Sequence, residues 1–465
     1  MAFAETLTAP PSADPVLAGP SVPAKPLGFL KMLQVAKENP FAAFSQGAYE
    51  QPIFEISMFG QKSWLINDPA AVKQVLLDNV ENYPKARQEV EALGSLFGDG
   101  ILTSDGEKWR AHRKIMSPAF DVRSLAAYAP SMARTTEAFL PRWAALDDGA
   151  VIDVGDEMTK LTLQIISETM FSSDMDSMTD LVGSTFAAAT DRMDFSLLDV
   201  LPVIGRVRMR QMVKEIHGIF HELDAAVAKL ITDRAERREA GHQDLLARLV
   251  AAQDDESGVG MSPREVRDQV VTIFVAGHET TAVAMTWTWY LLSQHPAEEA
   301  KLHAELVRVL GGRTPTRENL PNLPYTRMIL EEAMRLYPPA PGISMRTAIG
   351  PDTLCGQAIP KGAAIAIMPW ILHRHRALWE RPERFEPERF LPARSVGRSR
   401  YAYIPFGGGP RVCIGMAMAM QEATIILATL AQRYRLELAP GCEVELAPRI
   451  TLRPRNPMKM ILHRR

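Results

Sequence analysis

Apolar residues recur at helical spacing through the middle third of the chain. Residues 161–166 begin a buried helix, and residues 211–238 keep one apolar stripe along their length. The stripe consists of Val213, Ile216, Phe220, Leu223, Val227 and Leu230. Spacings of three and four residues place such side chains on one helix face. We therefore predict helices here whose apolar faces serve packing.

Alternating apolar and polar positions occur only in short stretches. Ile53–Met58, a turn over 59–62 and the stretch 63–66 predict a β-hairpin. The residues Asn67-Asp68-Pro69 then start a short helix. More short strands are predicted between 342 and 368, where glycine and proline mark turns. Together these stretches predict a small β-rich region.

Two stretches follow neither spacing. Between 83 and 103, Gly94, Gly98 and Gly100 stand among apolar residues. This composition is typical of a mobile loop, with ordinary surface cover as the alternative. Residues 186–201 are similarly loose and end at Pro202.

One helix has unusually clear limits. Ser262-Pro263-Arg264-Glu265 is a capping box with proline at the first helical position, and no stop signal follows before His295-Pro296. At about 1.5 Å per residue this helix spans nearly 50 Å.

Polar residues interrupt the apolar centre of this helix. Here Ala276 and Gly277 are followed by Glu279, Thr280 and Thr281. A solvent-facing stripe or a helix–helix contact through Gly277 would explain them without chemistry. Alternatively, Ala276 and Gly277 leave a groove, and Thr280 bonds back to the carbonyl four residues earlier and distorts the helix. Such a groove would admit a diatomic molecule and water.

Composition excludes some classes of protein. A net charge of −3 over 465 residues, with both signs mixed, argues against a nucleic-acid partner. Three cysteines without a pairing pattern favour a reducing compartment. Residues 1–26 lack a signal-peptide pattern and an apolar span of membrane length. We expect a flexible lead-in over 1–26, one domain over 27–465, no membrane anchor and a cytoplasmic location.

The most specific chemistry lies near the C-terminus. Cys413 sits in a loop with three consecutive glycines and a proline, directly before a strongly helix-forming run. Unpaired N–H groups at a helix start favour a thiolate. A phosphate site is a weak alternative because the Lys-Ser/Thr ending of a P-loop is missing. A zinc site is weaker still, because Cys355 and Cys442 make no C-x-x-C spacing.

Four motifs together resemble the cytochrome P450 family. Phe406, Gly409, Arg411, Cys413 and Gly415 fit its F-x-x-G-x-R-x-C-x-G signature. The helix centre fits its A-G-x-D/E-T-T motif, with glutamate at 279. Trp109 and Arg113 fit W-x-x-x-R, and Glu332 and Arg335 fit E-x-x-R, with Arg389 as third member. Without the resemblance, the last two motifs would also suit ordinary surface helices.

The resemblance implies a fold and a cofactor. The expected fold is a mainly α-helical, triangular prism-shaped single domain with a smaller β-rich region. The expected cofactor is haem b, with the Cys413 sulfur as axial iron ligand. Glu332, Arg335 and Arg389 would have a structural role. The expected haem contacts are Trp109, Arg113, His112, Ala276, Gly277, Arg346, Phe406, Gly407, Arg411, Cys413 and Gly415, with His373 as a weaker candidate.

The resemblance also implies a reaction. A monooxygenase of this family inserts one atom of O2 into a small apolar organic substrate. Thr280 would hydrogen-bond the oxygen and Glu279 would belong to the proton path. The candidate pocket residues are Val90, Leu93, Phe97, Ile273, Ile343 and Ile450, which suit fatty acids, terpenoids, steroids and aromatics equally.

Electrons are expected from outside the chain. About fifty residues follow Cys413, too few for a reductase domain, so a separate ferredoxin or flavodoxin with its NAD(P)H-dependent reductase is implied. A candidate docking surface consists of Lys108, Arg110, Lys114, Arg394, Arg398 and Arg400. A peroxide-driven hydroxylase and a haem-based carrier or sensor are the alternatives. Neither needs the Glu279 and Thr280 pair.

Overall fold

The computed structural model describes residues 15–58, 61–171, 244–253 and 260–465, with Gly258 and separate positions between 185 and 232. The loose stretch 186–201 and most of the predicted stripe over 211–238 lie outside the described residues. Of that stripe, Val227 is described and is buried.

The described part of the chain is mainly helical, with a smaller β-rich portion, as predicted. The helices named here are α1 (Phe29–Glu38), α2 (Pro69–Lys73), α3 (Arg87–Phe97), α4 (Gly106–Met116), α5 (Val122–Ala144), α6 (Val154–Phe171), α7 (Leu245–Ala251), α8 (Pro263–Gln294), α9 (Pro296–Leu310), α10 (Pro324–Leu336), α11 (Pro369–Leu372), α12 (Pro392–Ser395) and α13 (Met416–Ala431).

Helix α8 is the centre of the core. Its 32 residues begin at the predicted capping box, in which Ser262 and Glu265 bond to each other's backbone N–H groups, and it ends before His295. Most of its side chains are buried, and it packs along α6. At about 1.5 Å per residue it is about 48 Å long, so residues in its middle lie deep in the protein.

The strands form two sheets and two hairpins. They are β1 (Ile53–Met58), β2 (Gln61–Ile66), β3 (Val151–Asp153), β4 (Arg346–Thr347), β5 (Asp352–Leu354), β6 (Gln357–Ile359), β7 (Ala364–Ala366), β8 (Tyr434–Leu438), β9 (Leu446–Pro448), β10 (Leu452–Pro454) and β11 (Lys459–Arg464). One sheet has the order β1-β2-β7-β4 and the other β3-β11-β8, while β5 pairs with β6 and β9 with β10. Within the first sheet, β2 and β7 are parallel and the other pairs antiparallel.

Two local predictions need correction. Gln61 and Lys62, which were predicted to belong to the turn over 59–62, are part of strand β2. The predicted loop over 83–103 contains helix α3. Gly98, with φ of 60°, ends that helix, and the buried Asp268 side chain of α8 accepts a hydrogen bond from the Asp99 N–H at 2.9 Å. A distant helix therefore fixes a stretch whose own sequence favours a loop.

Ala18, in the part of the expected lead-in that the structure describes, contacts the core. The Ala18 N–H donates to the Tyr290 hydroxyl at 3.0 Å, and the Tyr337 hydroxyl donates to the Ala18 carbonyl at 2.8 Å. Residues around Ala18 are thus held against α8 and the end of α10. Among the described residues, no helix combines the length and apolarity that crossing a bilayer requires. The single domain and the cytoplasmic location stay predictions.

Candidate haem site

The loop before α13 is a tight backbone cradle. Gly407 and Gly409 have φ values of 74° and 66°, and the Cys413 N–H donates to the Phe406 carbonyl at 2.9 Å. The positive φ values explain glycine at both positions. Cys413 follows this turn and precedes the first residue of α13 by three positions.

Two of the glycines make room for protein atoms. A Cβ on Gly409 would lie 2.8 Å from the Leu76 carbonyl carbon and closer still to its oxygen, and a Cβ on Gly408 would lie 3.0 Å from Cε1 of Tyr401. Gly408 and Gly409 therefore seat the loop on the rest of the fold. Gly407 and Gly415 have no such neighbour.

Cys413 is free and accessible. It forms no disulfide, and part of its surface is accessible although protein atoms surround it. Burial raises the pKa of its thiol, while the N–H groups of Gly415 and Met416 and the Arg113 guanidinium lower it. The predicted N–H donors are therefore present, but burial outweighs them.

Helix α4 contacts the cysteine loop. Arg113 donates through Nη1 to the Val412 carbonyl at 2.8 Å. The Trp109 ring lies under the Arg411 guanidinium, whose Cζ is 4.2 Å from the ring centroid. His112 is buried, and its two ring nitrogens lie 3.2 Å from a Glu265 oxygen and 3.0 Å from the Gln269 amide nitrogen. Arg113 and Trp109 thus reach the loop, whereas His112 is bound to α8.

Three cations gather beside this loop. Arg346 is buried, and its Nε atom has no hydrogen-bond partner. Burial, together with the nearby Arg411, lowers the pKa of Arg346 to about 10. Burial also lowers the pKa of Lys85 to about 7, helped by Arg411 and Arg346. Two carboxylates, Asp105 and Glu89, act in the opposite direction. The repulsion among Lys85, Arg346 and Arg411 favours binding of an anion beside them.

Lys85 was missing from our sequence prediction. It lies two positions before α3, in the stretch predicted to be a loop, and an isolated β-bridge pairs it with Arg346. A lone lysine after Pro84 carries no spacing signal. Only the fold brings it to Arg346.

The centre of α8 has the predicted back-bond. Thr280 donates to the Ala276 carbonyl at 2.7 Å. Ala276 is exposed and Thr280 partly exposed, although most neighbours on the helix are buried. Gly277 serves helix packing, because a Cβ there would lie 3.2 Å from Cδ1 of Ile166 on α6. Ala276 and Thr280 therefore border open space, while Gly277 fits the helix-contact interpretation.

Glu279 is bonded to the C-terminal hairpin. Its Oε1 atom accepts hydrogen bonds from the Thr451 hydroxyl and, at 2.8 Å, from Arg453 Nε. Glu279 is buried, Thr451 is buried, and the Arg453 side chain is 38 % exposed. Neither partner was predicted, because a hairpin about 170 positions downstream leaves no mark on the sequence of the helix.

Glu332, Arg335 and Arg389, the set predicted to have a structural role, contact one another in the structure. Glu332 accepts two hydrogen bonds from Arg335, at 2.7 and 2.8 Å, and one from Arg389 at 3.2 Å, and all three residues are buried. Arg335 also donates to three carbonyl groups beyond α10. One of these belongs to His373, which is itself buried and accepts the Ile404 N–H through Nε2 at 2.9 Å. His373 thus lies in this buried network.

The candidate pocket residues differ in exposure. Phe97 and Ile273 are buried, Val90, Leu93 and Ile343 are partly buried, and Ile450 is 42 % exposed. The candidate docking residues are mostly paired. Lys108, Arg110 and Arg394 form ion pairs with Asp99, Glu81 and Glu386. The Arg398 Cζ lies 4.6 Å from the Trp379 ring centroid and the Arg400 Cζ lies 5.3 Å from the Tyr401 ring centroid. All six candidate docking residues except Arg398 are exposed.

Comparisons with known proteins agree with this geometry. The sequence profile described as Cytochrome P450 matches residues 20–462. Cyclooctatin synthase of Streptomyces melanosporofaciens is 36 % identical over 418 residues, covering 88 % of both chains. Pentalenene oxygenase of Streptomyces avermitilis is 32 % identical, covering 81 % of this chain and 82 % of the relative. The crystal structure of the cytochrome P450DA heme domain superposes with a TM-score of 0.80 at 27 % identity, covering 96 % and 97 % of the two chains.

The chain belongs to the cytochrome P450 family. It is a haem-thiolate monooxygenase that oxidises an apolar substrate with one oxygen atom of O2. The residues fit a haem. Cys413 offers a free sulfur, and the orphaned Nε of buried Arg346 lies in a cation cluster suited to carboxylates.

Proposed function

We propose that this monooxygenase oxidises a polycyclic terpenoid in a pocket bounded by α3, the centre of α8 and the tip of the β9–β10 hairpin. The observation that carries this proposal is the agreement among relatives. Cyclooctat-9-en-7-ol 5-monooxygenase of Streptomyces melanosporofaciens, 35 % identical over 401 residues, and pentalenene oxygenase are both named for compounds of this class. The apolar candidate residues suit such a substrate.

Cys413 holds the haem iron in this proposal. Arg113 supports the loop through Val412, and Lys85, Arg346 and Arg411 bind the two haem carboxylates. Phe406, Gly407 and Gly415 border the ligand, and Ala276 lines the opposite space. A thiolate-ligated haem supplies oxygen binding and O–O cleavage.

Thr280 and Glu279 manage protons in this proposal. Because the Thr280 hydroxyl donates to the Ala276 carbonyl, its oxygen can accept a hydrogen bond from a donor in the open space. Glu279 is the nearest carboxyl group along the helix, and an acid is needed to supply protons during oxygen cleavage.

Electrons come from a separate partner in this proposal. A ferredoxin or flavodoxin, reduced by NAD(P)H through its reductase, docks on the basic surface defined above. All members of this surface except Arg398 are exposed, so these five should contribute most to the association rate.

Two experiments test the assignment of the ligand and of the substrate. Cys413→Ser should abolish the thiolate-type Soret band of the reduced, CO-bound protein, while the matched Cys355→Ser and Cys442→Ser variants should keep it. Loss of the band in a control variant, or its survival in Cys413→Ser, would refute the ligand. For the substrate, spectral titration with pentalenene, palmitate, progesterone and naphthalene compares four classes. The terpenoid proposal fails if pentalenene gives no shift and another class does.

Thr280→Ala tests the proton assignment. We expect more peroxide released for each O2 consumed, because protons reach the oxygen less effectively. The matched control is Thr288→Ala, because Thr288 lies on the same helix, bonds back to the Ala284 carbonyl at 2.7 Å and is buried away from the open space. Unchanged peroxide release in Thr280→Ala would end the assignment.

A further inference from the structure

The β9–β10 hairpin reaches the middle of α8 through one carboxylate. Glu279 Oε1 accepts hydrogen bonds from Thr451 and Arg453, which lie on either side of Leu452. Because the carboxylate is buried, these two donors are its main source of stabilisation. Its orientation therefore depends on where the hairpin lies.

The hairpin is anchored beside these donors. The Leu452 N–H donates to the Pro339 carbonyl at 3.0 Å, and the Leu452 carbonyl accepts the Trp287 Nε1–H at 2.6 Å. Trp287 belongs to α8 itself, so the anchor and the carboxylate share one helix. Thr451 and Arg453 thus have fixed positions relative to Glu279.

The two donors differ in access to solvent. Thr451 is buried, whereas the Arg453 side chain is 38 % exposed. The ion pair consequently joins a buried carboxylate to a group that water reaches. In the structure, the Glu279 carboxylate bonds to the hairpin and the Thr280 hydroxyl bonds to the Ala276 carbonyl. Each of these two neighbouring side chains is therefore bonded to a third residue.

We propose that Arg453 and Thr451 are positioning residues that hold the Glu279 carboxylate and set how it exchanges protons with solvent. This inference rests on the proposed role of Glu279 in the proton path. Arg453 pairs with the carboxylate and holds it turned toward the hairpin. Delivery of a proton requires that this ion pair loosen while the carboxyl group carries the proton inward.

The test uses the substrate-free holoenzyme, so it does not depend on substrate identity. A plant-type ferredoxin and its NADPH-dependent reductase supply electrons. The readouts are O2 consumption, peroxide release, and the ratio of rates in H2O and D2O. The variants are Glu279→Gln, Arg453→Gln, Arg453→Lys and Thr451→Val. The matched control is Arg455→Gln, because Arg455 is similarly exposed at 41 % and pairs with the exposed Glu445.

We expect Arg453→Gln to change the H2O/D2O rate ratio and to lower the conversion of O2 to water roughly tenfold, a small part of what a misplaced acid costs. Thr451→Val should change the rate ratio and the conversion of O2 to water in the same direction as Arg453→Gln. Arg453→Lys should keep most of the behaviour of the unaltered protein because lysine keeps the positive charge. Arg455→Gln should match the unaltered protein. The reduced, CO-bound spectrum confirms equal haem content in every variant.

The outcomes separate the two proposals. If Glu279→Gln alters the rate ratio and Arg453→Gln does not, the positioning role is refuted and the acid role stands. If Glu279→Gln changes nothing, the acid role fails and the positioning role with it. If Arg453→Lys behaves like Arg453→Gln, or Arg455→Gln like both, charge at position 453 is not the cause.

Discussion

Arg113 Nη1 donates a hydrogen bond to the carbonyl oxygen of Val412, the residue before the cysteine, at 2.8 Å. Through this bond, helix α4 holds the cysteine loop in place. Hydrogen bonds from charged donors contribute about 1.5–3 kcal/mol. We expect Arg113→Ala to lose haem roughly tenfold faster to a haem-accepting protein such as apomyoglobin. Arg110→Ala is the control, because Arg110 lies on the same helix with its side chain 53 % exposed. Equal loss rates in both variants would contradict this prediction.

Gly409→Ala should prevent correct seating of the loop. The residue has φ of 66°, and its new Cβ would overlap the Leu76 carbonyl. Gly397→Ala is the control, with φ of 79° and no atom within 4 Å. The control carries the backbone strain alone, about 1–2 kcal/mol. We expect haem content to fall severely only in Gly409→Ala, measured as haem per protein after purification. Normal haem content there would show that the contact with Leu76 is dispensable.

Arg335→Lys should destabilise the protein strongly. Lysine cannot reproduce the two hydrogen bonds to Glu332 together with those to three carbonyl groups. Breaking such a buried pair costs about 3–5 kcal/mol. Arg327→Lys is the control, since its ion pair with Glu331 is on the surface and contributes at most about 0.5 kcal/mol. Thermal unfolding of the holoenzyme measures both, and equal melting temperatures would refute the structural role.

Glu422 predicts a pH dependence of stability. Burial raises the pKa of this α13 carboxyl from 4.5 to about 8, and the Thr281 hydroxyl, 3.5 Å away, lowers it only slightly. The folded protein thus keeps a proton that the unfolded chain loses as pH rises through 4.5. Stability is lost progressively from there to pH 8, by ~3 kcal/mol at pH 7.

Glu422→Gln removes this ionisation. The variant should equal the unaltered protein near pH 5 and gain in melting temperature relative to it as pH rises to 8. Glu443→Gln, at an exposed position, is the control and should show no such trend. A constant difference between Glu422→Gln and the unaltered protein across this range would mean that Glu422 is not held neutral.

The sequence correctly predicted features that depend on interactions between residues close together in the chain. The capping box fixed the start of α8, and the threonine back-bond at 280 followed from helix geometry. The spacing of Glu332 and Arg335 also predicted a bond that the structure contains. Each of these depends on neighbours within four residues.

Most contacts between distant segments escaped prediction, and the bond between Glu332 and Arg389 was expected only from the family resemblance. Helix α3 forms where glycines favoured a loop, with its end bonded to Asp268 of α8. Lys85 joins Arg346, and Arg453 joins Glu279, only because sheets and hairpins bring these segments together. One sequence carries no periodic trace of such pairs, so the charge balance of the site had to come from the structure.

The contact between Gly409 and Leu76 joins a segment that is synthesised early to one that is synthesised late. The carbonyl that receives the glycine is synthesised early, whereas the cysteine loop leaves the ribosome only when the chain is nearly finished. The socket is therefore completed last, by docking one end of the chain onto the other. A chain truncated before Phe406 would lack the whole loop that contacts Leu76, and with it the cysteine.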